Sequence, residues 1–283
     1  MKRRLNRLVL FLLTIPVLLF IYMPIFYLLL SSVSTRSELL SVPIHWIPQN
    51  PTFKNYIDIL TPGKATSEVA RTFKVTLRNS LVVASSVTVI SLVVGSLAAY
   101  ALSRLRLPFR NTMLLGIMGT RMIPEVSLVI PLYILAVRVG LYNKPPVLIL
   151  TYLSFALPFA IWLMAAFFDT IPIELEDAAQ IDGASRLRTL VSIILPVSAP
   201  GLVSTALFVF LIAWDEFFFA LLFTSTVAAK TVPVAIAEFT GRYVVDVGGM
   251  MTGGVLAAIP PVLLSLIFSR YIVSGLTAGA VKG

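Results

Sequence analysis

From Glu174 to Pro196 the chain reads ELEDAAQIDGASRLRTLVSIILP, a polar and charged stretch inside a very apolar sequence. One long apolar run ends near Phe168 and another begins near Pro196. A water-compatible segment held between two membrane-length runs points to a soluble partner that docks there. Its residues predict two short helices with a hinge. Pro172 suits a first helical turn, and Glu174, Glu176 and Asp177 are acids placed where a helix N-terminus favours negative charge. Leu175, Ala178 and Ala179 form a narrow face on which a partner groove can close. Asp182-Gly183 is a turn signal, and Asp182 is expected to cap a second helix from Ala184. Leu187, Leu190 and Ile194 then recur at helical spacing. An amphipathic helix lying on a membrane usually carries a basic polar face; this one is led by acids.

Composition sets the surroundings of that segment. Hydrophobic residues make up 58% of the 283 residues and charged residues 12%, against about 25% charged in soluble domains, and the mean hydropathy is +0.95. Such a chain suits one integral membrane domain with several spans of about 20 apolar residues each. With no cysteine, disulfides and thiolate metal sites are excluded. The net charge of +9 does not indicate nucleic acid, because many basic residues flank apolar runs, as membrane topology requires.

Six spans are expected in a single domain covering residues 1–283, at about 8–30, 79–102, 112–132, 147–168, 197–223 and 255–272. The first run is too long for a signal-peptide core, and no small-residue cleavage site follows it. Pro124 and Pro131 predict a kinked or broken third span. Residues 32–78 read as an extracytoplasmic loop with a short helix or two. The basic head (Lys2, Arg3, Arg4, Arg7), the 104–110 loop, the 174–196 segment with Arg186 and Arg188, and the tail with Arg270 and Lys282 fall on one side. By the positive-inside rule that side is cytoplasmic. The 32–78 loop also holds six basic residues, but long loops translocate largely regardless of charge. Both termini are then expected in the cytoplasm.

Asp177-Ala178-Ala179, then Gly183, then Ile193-Ile194-Leu195-Pro196 resemble the EAA motif of the permease subunits of bacterial ATP-binding-cassette (ABC) importers, with Asp177 in the place of the usual Glu. Trp214-Asp215-Glu216-Phe217 resembles the W-N-E-F stretch of the carbohydrate-type members. The tail Arg270–Gly283 is similar to the C-terminus of the maltose-permease G-type subunits. The resemblance spans essentially the whole chain and implies an all-α, type I importer permease fold in the bacterial inner membrane. It assigns ATPase coupling to Glu176, Asp177, Ala178, Ala179, Asp182, Gly183, Ala184, Leu195 and Pro196. The implied partners are two cytoplasmic ATP-binding subunits, a second and non-identical permease subunit, and an extracytoplasmic solute-binding protein. ATP and Mg would be used by the ATPase partners, with no cofactor on this chain, which has no G-x-x-x-x-G-K-[ST] phosphate loop. The implied solute is a sugar; a non-sugar solute is the alternative.

Other polar residues complete the reading. Trp214, Asp215, Glu216 and Phe217 are candidate solute-pathway residues, with interhelical hydrogen bonding as the competing role of the two acids. Arg121 and Glu125, four apart, are spaced to pair on one helix face. Gly248, Gly249, Gly253 and Gly254 suit close backbone packing. The loop at 224–246 is expected to hold a short helix at 234–239 bearing Glu238, and the resemblance implies contact with the binding protein. A secondary transporter would show matched broken halves, which are not evident. An intramembrane enzyme would need a nucleophile pair or metal cluster, for which one histidine and no cysteine are insufficient.

Overall fold

The computed structural model describes residues 2–61, 67–241 and 245–280, with side chains at 11–61, 67–241 and 245–271. Lys64, Arg242 and the last residues, Val281 to Gly283, lie outside the described residues. Apart from one bridge between Thr240 and Val245, the described secondary structure is helical. In chain order the helices are α1 (Lys2–Ser32), α2 (Arg36–Leu39), α3 (Lys54–Leu60), α4 (Glu68–Arg104), α5 (Arg110–Gly119), α6 (Glu125–Arg138), α7 (Pro145–Phe168), α8 (Glu174–Ile181), α9 (Arg186–Thr189), α10 (Leu195–Val197), α11 (Ala199–Trp214), α12 (Phe218–Phe223), α13 (Val232–Glu238) and α14 (Val247–Ala280). A 3₁₀ turn at Thr120–Met122 follows α5, and a π-helical turn at Leu190–Ile194 joins α9 to α10.

Among the described residues, four helices are long and apolar enough to cross a membrane: the 11–32 part of α1, α4, α7 and the 247–271 part of α14. Two bent helix pairs are apolar enough only when their halves are taken together. The first joins Arg110–Met122 to Glu125–Arg138 at 85°, and the second joins Arg186–Val197 to Ala199–Trp214 at 82°. The first bend lies where Pro124 predicts it, since proline restricts the preceding residue, here Ile123, to extended backbone (ψ 121°).

Three boundaries differ from expectation. Helix α4 starts at Glu68 rather than near Asn79, because Ala70 and Phe73 are buried (3% and 1% exposed) while Arg71, Lys74 and Arg78 occupy other faces. The fifth crossing is interrupted at Asp215–Phe217, so α12 is a separate short helix. Helix α14 begins at Val247 and incorporates the glycine run.

The chain divides into two compact units. In the unit of Met1–Lys74 and Ala235–Ile259, α14 lies close to its neighbours through glycine. A Cβ on Gly249 would meet the Phe239 ring at 2.6 Å, and one on Gly248 would meet the Asn55 side chain at 2.8 Å. The end of α1 is tied down by hydrogen bonds: Asn55 Nδ2 and Thr252 Oγ1 donate to the carbonyl of Ser32 at 3.2 and 3.1 Å, and the hydroxyls of Ser32 and Tyr56 lie 2.7 Å apart.

In the unit of Val75–Val234 and Pro260–Gly283, α7 packs along α11. Leu148, Tyr152, Ala156 and Ala160 of α7 and Val209, Phe210, Ala213 and Trp214 of α11 are buried. Lipid is as apolar as leucine, so packing of small residues rather than exclusion of water drives such contacts. Gly95 of α4 shows the device: a Cβ there would sit 3.3 Å from Ala160 Cβ. Gly201 of α11 shows it more severely, because its missing Cβ position is overlapped by the ring of Phe167. A second buried cluster (Ala99, Tyr100, Met164, Ala165, Phe168, Ile171, Leu190 and Ile194) supports the 174–196 segment.

Candidate functional site

Helix α8 ends as its sequence predicts. Gly183 adopts φ +81°, the left-handed conformation that glycine enters at no steric cost. The Ala184 N–H donates to the Ala179 carbonyl at 2.9 Å and the Gly183 N–H to the Gln180 carbonyl at 3.0 Å, the paired bonds of a Schellman ending. Asp182 is the C-cap of α8, not the N-cap of the next helix. That role falls to Ser185, whose hydroxyl accepts the Arg188 N–H at 3.4 Å and starts α9 at Arg186 rather than Ala184. The chain needs two residues, Gly183 and Ala184, to turn before a helix can restart, which moves the cap forward.

Beside its apolar contacts, the segment is held to the rest of its unit by a buried carboxylate. Glu176 is 3% exposed, pairs with the Arg104 guanidinium and accepts the Tyr100 hydroxyl at 2.9 Å. Arg104 also donates to the carbonyls of Phe168 and Ile171 at 2.8 and 2.7 Å. A single guanidinium therefore closes the C-terminal end of α7, the loop after it and α8 onto the end of α4. A second ion pair, Arg110 with Asp169, lies beside it at the surface. An isolated buried carboxylate would be costly; the ion pair and the hydroxyl together satisfy it.

The coupling candidates divide into two groups. Glu176 and Ala179 (6% exposed) point inward, so Ala179 packs within the chain rather than beside Leu175 on an outer face. Asp177, Ala178, Asp182, Gly183 and Pro196 are exposed, and Ala184 and Leu195 are half-buried. The outward surface also carries Glu174, Ile181 (87% exposed) and Leu187 (61%). It combines acids with apolar side chains, a surface suited to a protein groove.

The W-D-E-F candidates separate as well. Trp214 is a core residue, 3% exposed and stacked on Phe210 at 5.4 Å between centroids. Glu216 caps α12, accepting the N–H groups of Phe219 and Ala220 at 2.8 and 3.2 Å. Asp215 and Phe217 are exposed. The two acids do not share a continuous helix, since the chain breaks there so that Glu216 can reach the next helix's N-terminus. Arg121 and Glu125 form no ion pair, because Pro124 and the 85° bend intervene; Arg121 lies instead over the Phe159 ring at 5.8 Å.

Three further residues have roles that were not read from the sequence. Tyr100 and Arg104 lie at the end of an apolar run, where Arg104 counted only as a topology charge. Asn143, at φ 57°, accepts the N–H groups of Ser225 and Thr226 at 2.9 and 3.0 Å through Oδ1. It ties the turn before α7 to the chain after α12. The short helix expected at 234–239 is present as α13.

Residues 91–278 match the family of binding-protein-dependent transport system inner membrane components. The chain belongs to that family. Among its relatives, it is 40% identical over 261 residues to the trehalose/maltose transport system permease protein MalG of Thermococcus litoralis, covering 92% of this chain and 91% of the relative. It is 42% identical over 239 residues to the trehalose transport system permease protein SugB of Mycobacterium tuberculosis, covering 84% of each. A bacterial ABC transporter involved in import of the acidic polysaccharide alginate has a chain of the same fold, with a TM-score of 0.79 at 21% identity over 95% of this chain and 97% of that one. This inner membrane component thus has the type I importer permease fold, and it is a transporter subunit rather than an enzyme.

Proposed function

We propose that this permease subunit forms part of the pathway of an ABC importer for a sugar, and that α8 and the turn after it couple that pathway to ATP hydrolysis. The observation that carries the coupling reading is the division within 174–196. Inward residues clamp α8 to the ends of α4 and α7, and outward residues offer an acidic and apolar face. A helix that only filled space would not need a buried arginine to hold it. A helix that transmits force does, because a partner's movement must reach the membrane helices without being lost in a flexible loop.

Two cytoplasmic ATPase subunits supply ATP and Mg chemistry, each holding one coupling helix, this chain's α8 and its counterpart on a second permease subunit. An extracytoplasmic binding protein delivers the solute, with the chain between α12 and α14 facing it. The 174–196 segment and both termini are cytoplasmic. The names of the trehalose and maltose relatives support a sugar as the solute. Asp215 and Phe217 are the pathway candidates that remain exposed; Trp214 and Glu216 support them. Proteoliposomes holding the assembled importer test the reading. ATP- and binding-protein-dependent uptake of labelled trehalose or maltose is expected, and uptake of neither by a complex with active ATPase subunits would remove the sugar assignment.

A further inference from the structure

The segment between α2 and α3 has its polarity reversed. From Leu39 to Phe53 the sequence LLSVPIHWIPQNPTF holds no Asp, Glu, Lys or Arg. Several of its polar groups pair with each other, while Gln49 and Asn50 also face outward. Glu38 Oε1 accepts the Asn50 N–H at 2.9 Å, and the Ser41 hydroxyl lies 2.8 Å from His45 Nδ1. The Thr52 N–H donates to the Val33 carbonyl at 2.7 Å and closes the base. The apolar side chains point out: Leu40 is 57% exposed, Val42 95%, Ile44 58%, Trp46 59% and Ile47 71%. A closed loop in water shows the opposite arrangement, and an apolar patch of this kind marks a surface that something covers.

The cover is identified by what the patch adjoins. The Trp46 ring meets Tyr27 edge-on at 5.5 Å between centroids, and Tyr27 lies near the end of the membrane-length part of α1. Tryptophan and tyrosine concentrate at that level of a bilayer, where an apolar ring and a polar edge are both accommodated. The exposed apolar surface of α1 (Tyr22, Phe26 and Leu29) continues into the loop. Loop backbone cannot enter the hydrocarbon core, where its unpaired N–H and C=O groups would have no partner, but it can rest among headgroups. We propose that the 39–50 loop is a membrane-interface anchor whose Val42, Ile44, Trp46 and Ile47 dip into the headgroup region, in the outer leaflet if the proposed topology holds.

The natural absence of cysteine allows a direct test. Val42→Cys or Ile47→Cys is labelled with a small environment-sensitive dye in the assembled importer in lipid nanodiscs. A spin label on the lipid headgroup is expected to quench the dye more strongly than one at mid-chain. Iodide in the water is expected to quench it at less than about half the rate seen for the same dye on free cysteine, consistent with insertion to about 5–10 Å. Full iodide quenching with no lipid quenching would overturn the proposal. So would protection from iodide without lipid quenching, or protection appearing only when the binding protein is added, since either makes the patch a protein interface. Because no transport is measured, the result is independent of the solute and coupling assignments.

Discussion

The 174–196 segment, built of short helices, and the 39–50 loop both interrupt long apolar helices, yet they display opposite chemistry. The first buries one charge, Glu176, against Arg104 and displays several more, Glu174, Asp177, Asp182, Arg186 and Arg188. The second holds no charge from Leu39 to Phe53 and displays aliphatic and tryptophan side chains. The first surface can be wetted and gripped by a soluble protein; the second favours a bilayer interface. The sign of the outward surface, not the secondary structure beneath it, distinguishes a docking element from an anchoring one.

The largest expected effect breaks the buried half of the coupling segment. Glu176→Ala leaves Arg104 buried without its partner, which costs about 3–5 kcal/mol. Thermal unfolding of the purified complex should show a large loss, and Glu176→Gln, which can still hydrogen-bond Tyr100 and Arg104, should lose less. If the alanine change is silent, the clamp is not what holds α8. The outward acids provide the contrast. Glu174→Gln with Asp177→Asn should leave stability within about 0.5 kcal/mol while lowering ATP-driven uptake, a split between folding and function that a merely structural helix would not produce.

Next in size is the contact between α7 and α11. Gly201→Ala drives a methyl group into the Phe167 ring, and overpacking of this kind costs about 1–3 kcal/mol. Gly183→Ala meets open space but forces a side chain into the left-handed region, at about 1–2 kcal/mol. Adding the change Phe167→Ala should rescue the first and not the second, and unfolding of the two pairs checks it. The smallest effect lies at the turn before α7, where Asn143→Ala removes hydrogen bonds to Ser225 and Thr226 and should cost about 1 kcal/mol.

Much of this was legible because bilayers constrain sequence strongly. Run length marked the long apolar helices, Pro124 marked the first bend, and Gly183 marked the end of α8. What sequence patterning missed was pairing at a distance. Arg104 and Glu176 are far apart in the chain, and each has a sufficient local explanation, a topology charge and an early helix acid. Glu216 misled for a related reason: an apolar run reads as one helix unless the break residue is proline or glycine, and here the break is stabilised by the acid's own bonds to Phe219 and Ala220. Ala179 was placed on the outer face with Leu175 and Ala178, although spacing alone does not say which alanine of a pair faces inward. The polar pairing inside the 39–50 loop is visible only once Ser41 is seen beside His45 and Glu38 beside Asn50.

In the proposed coupling, the outward face of α8 touches an ATPase subunit while its inward face does not. A photo-activatable amino acid at Ala178, and in separate preparations at Ile181, Ala179 and Val42, tests it in the assembled, membrane-embedded importer. Crosslinks to the ATPase subunit are expected from Ala178 and Ile181, with none from Ala179 or Val42. An intact complex that yields no ATPase crosslink from Ala178, or yields it equally from Val42, would rule out docking through the outward face of α8.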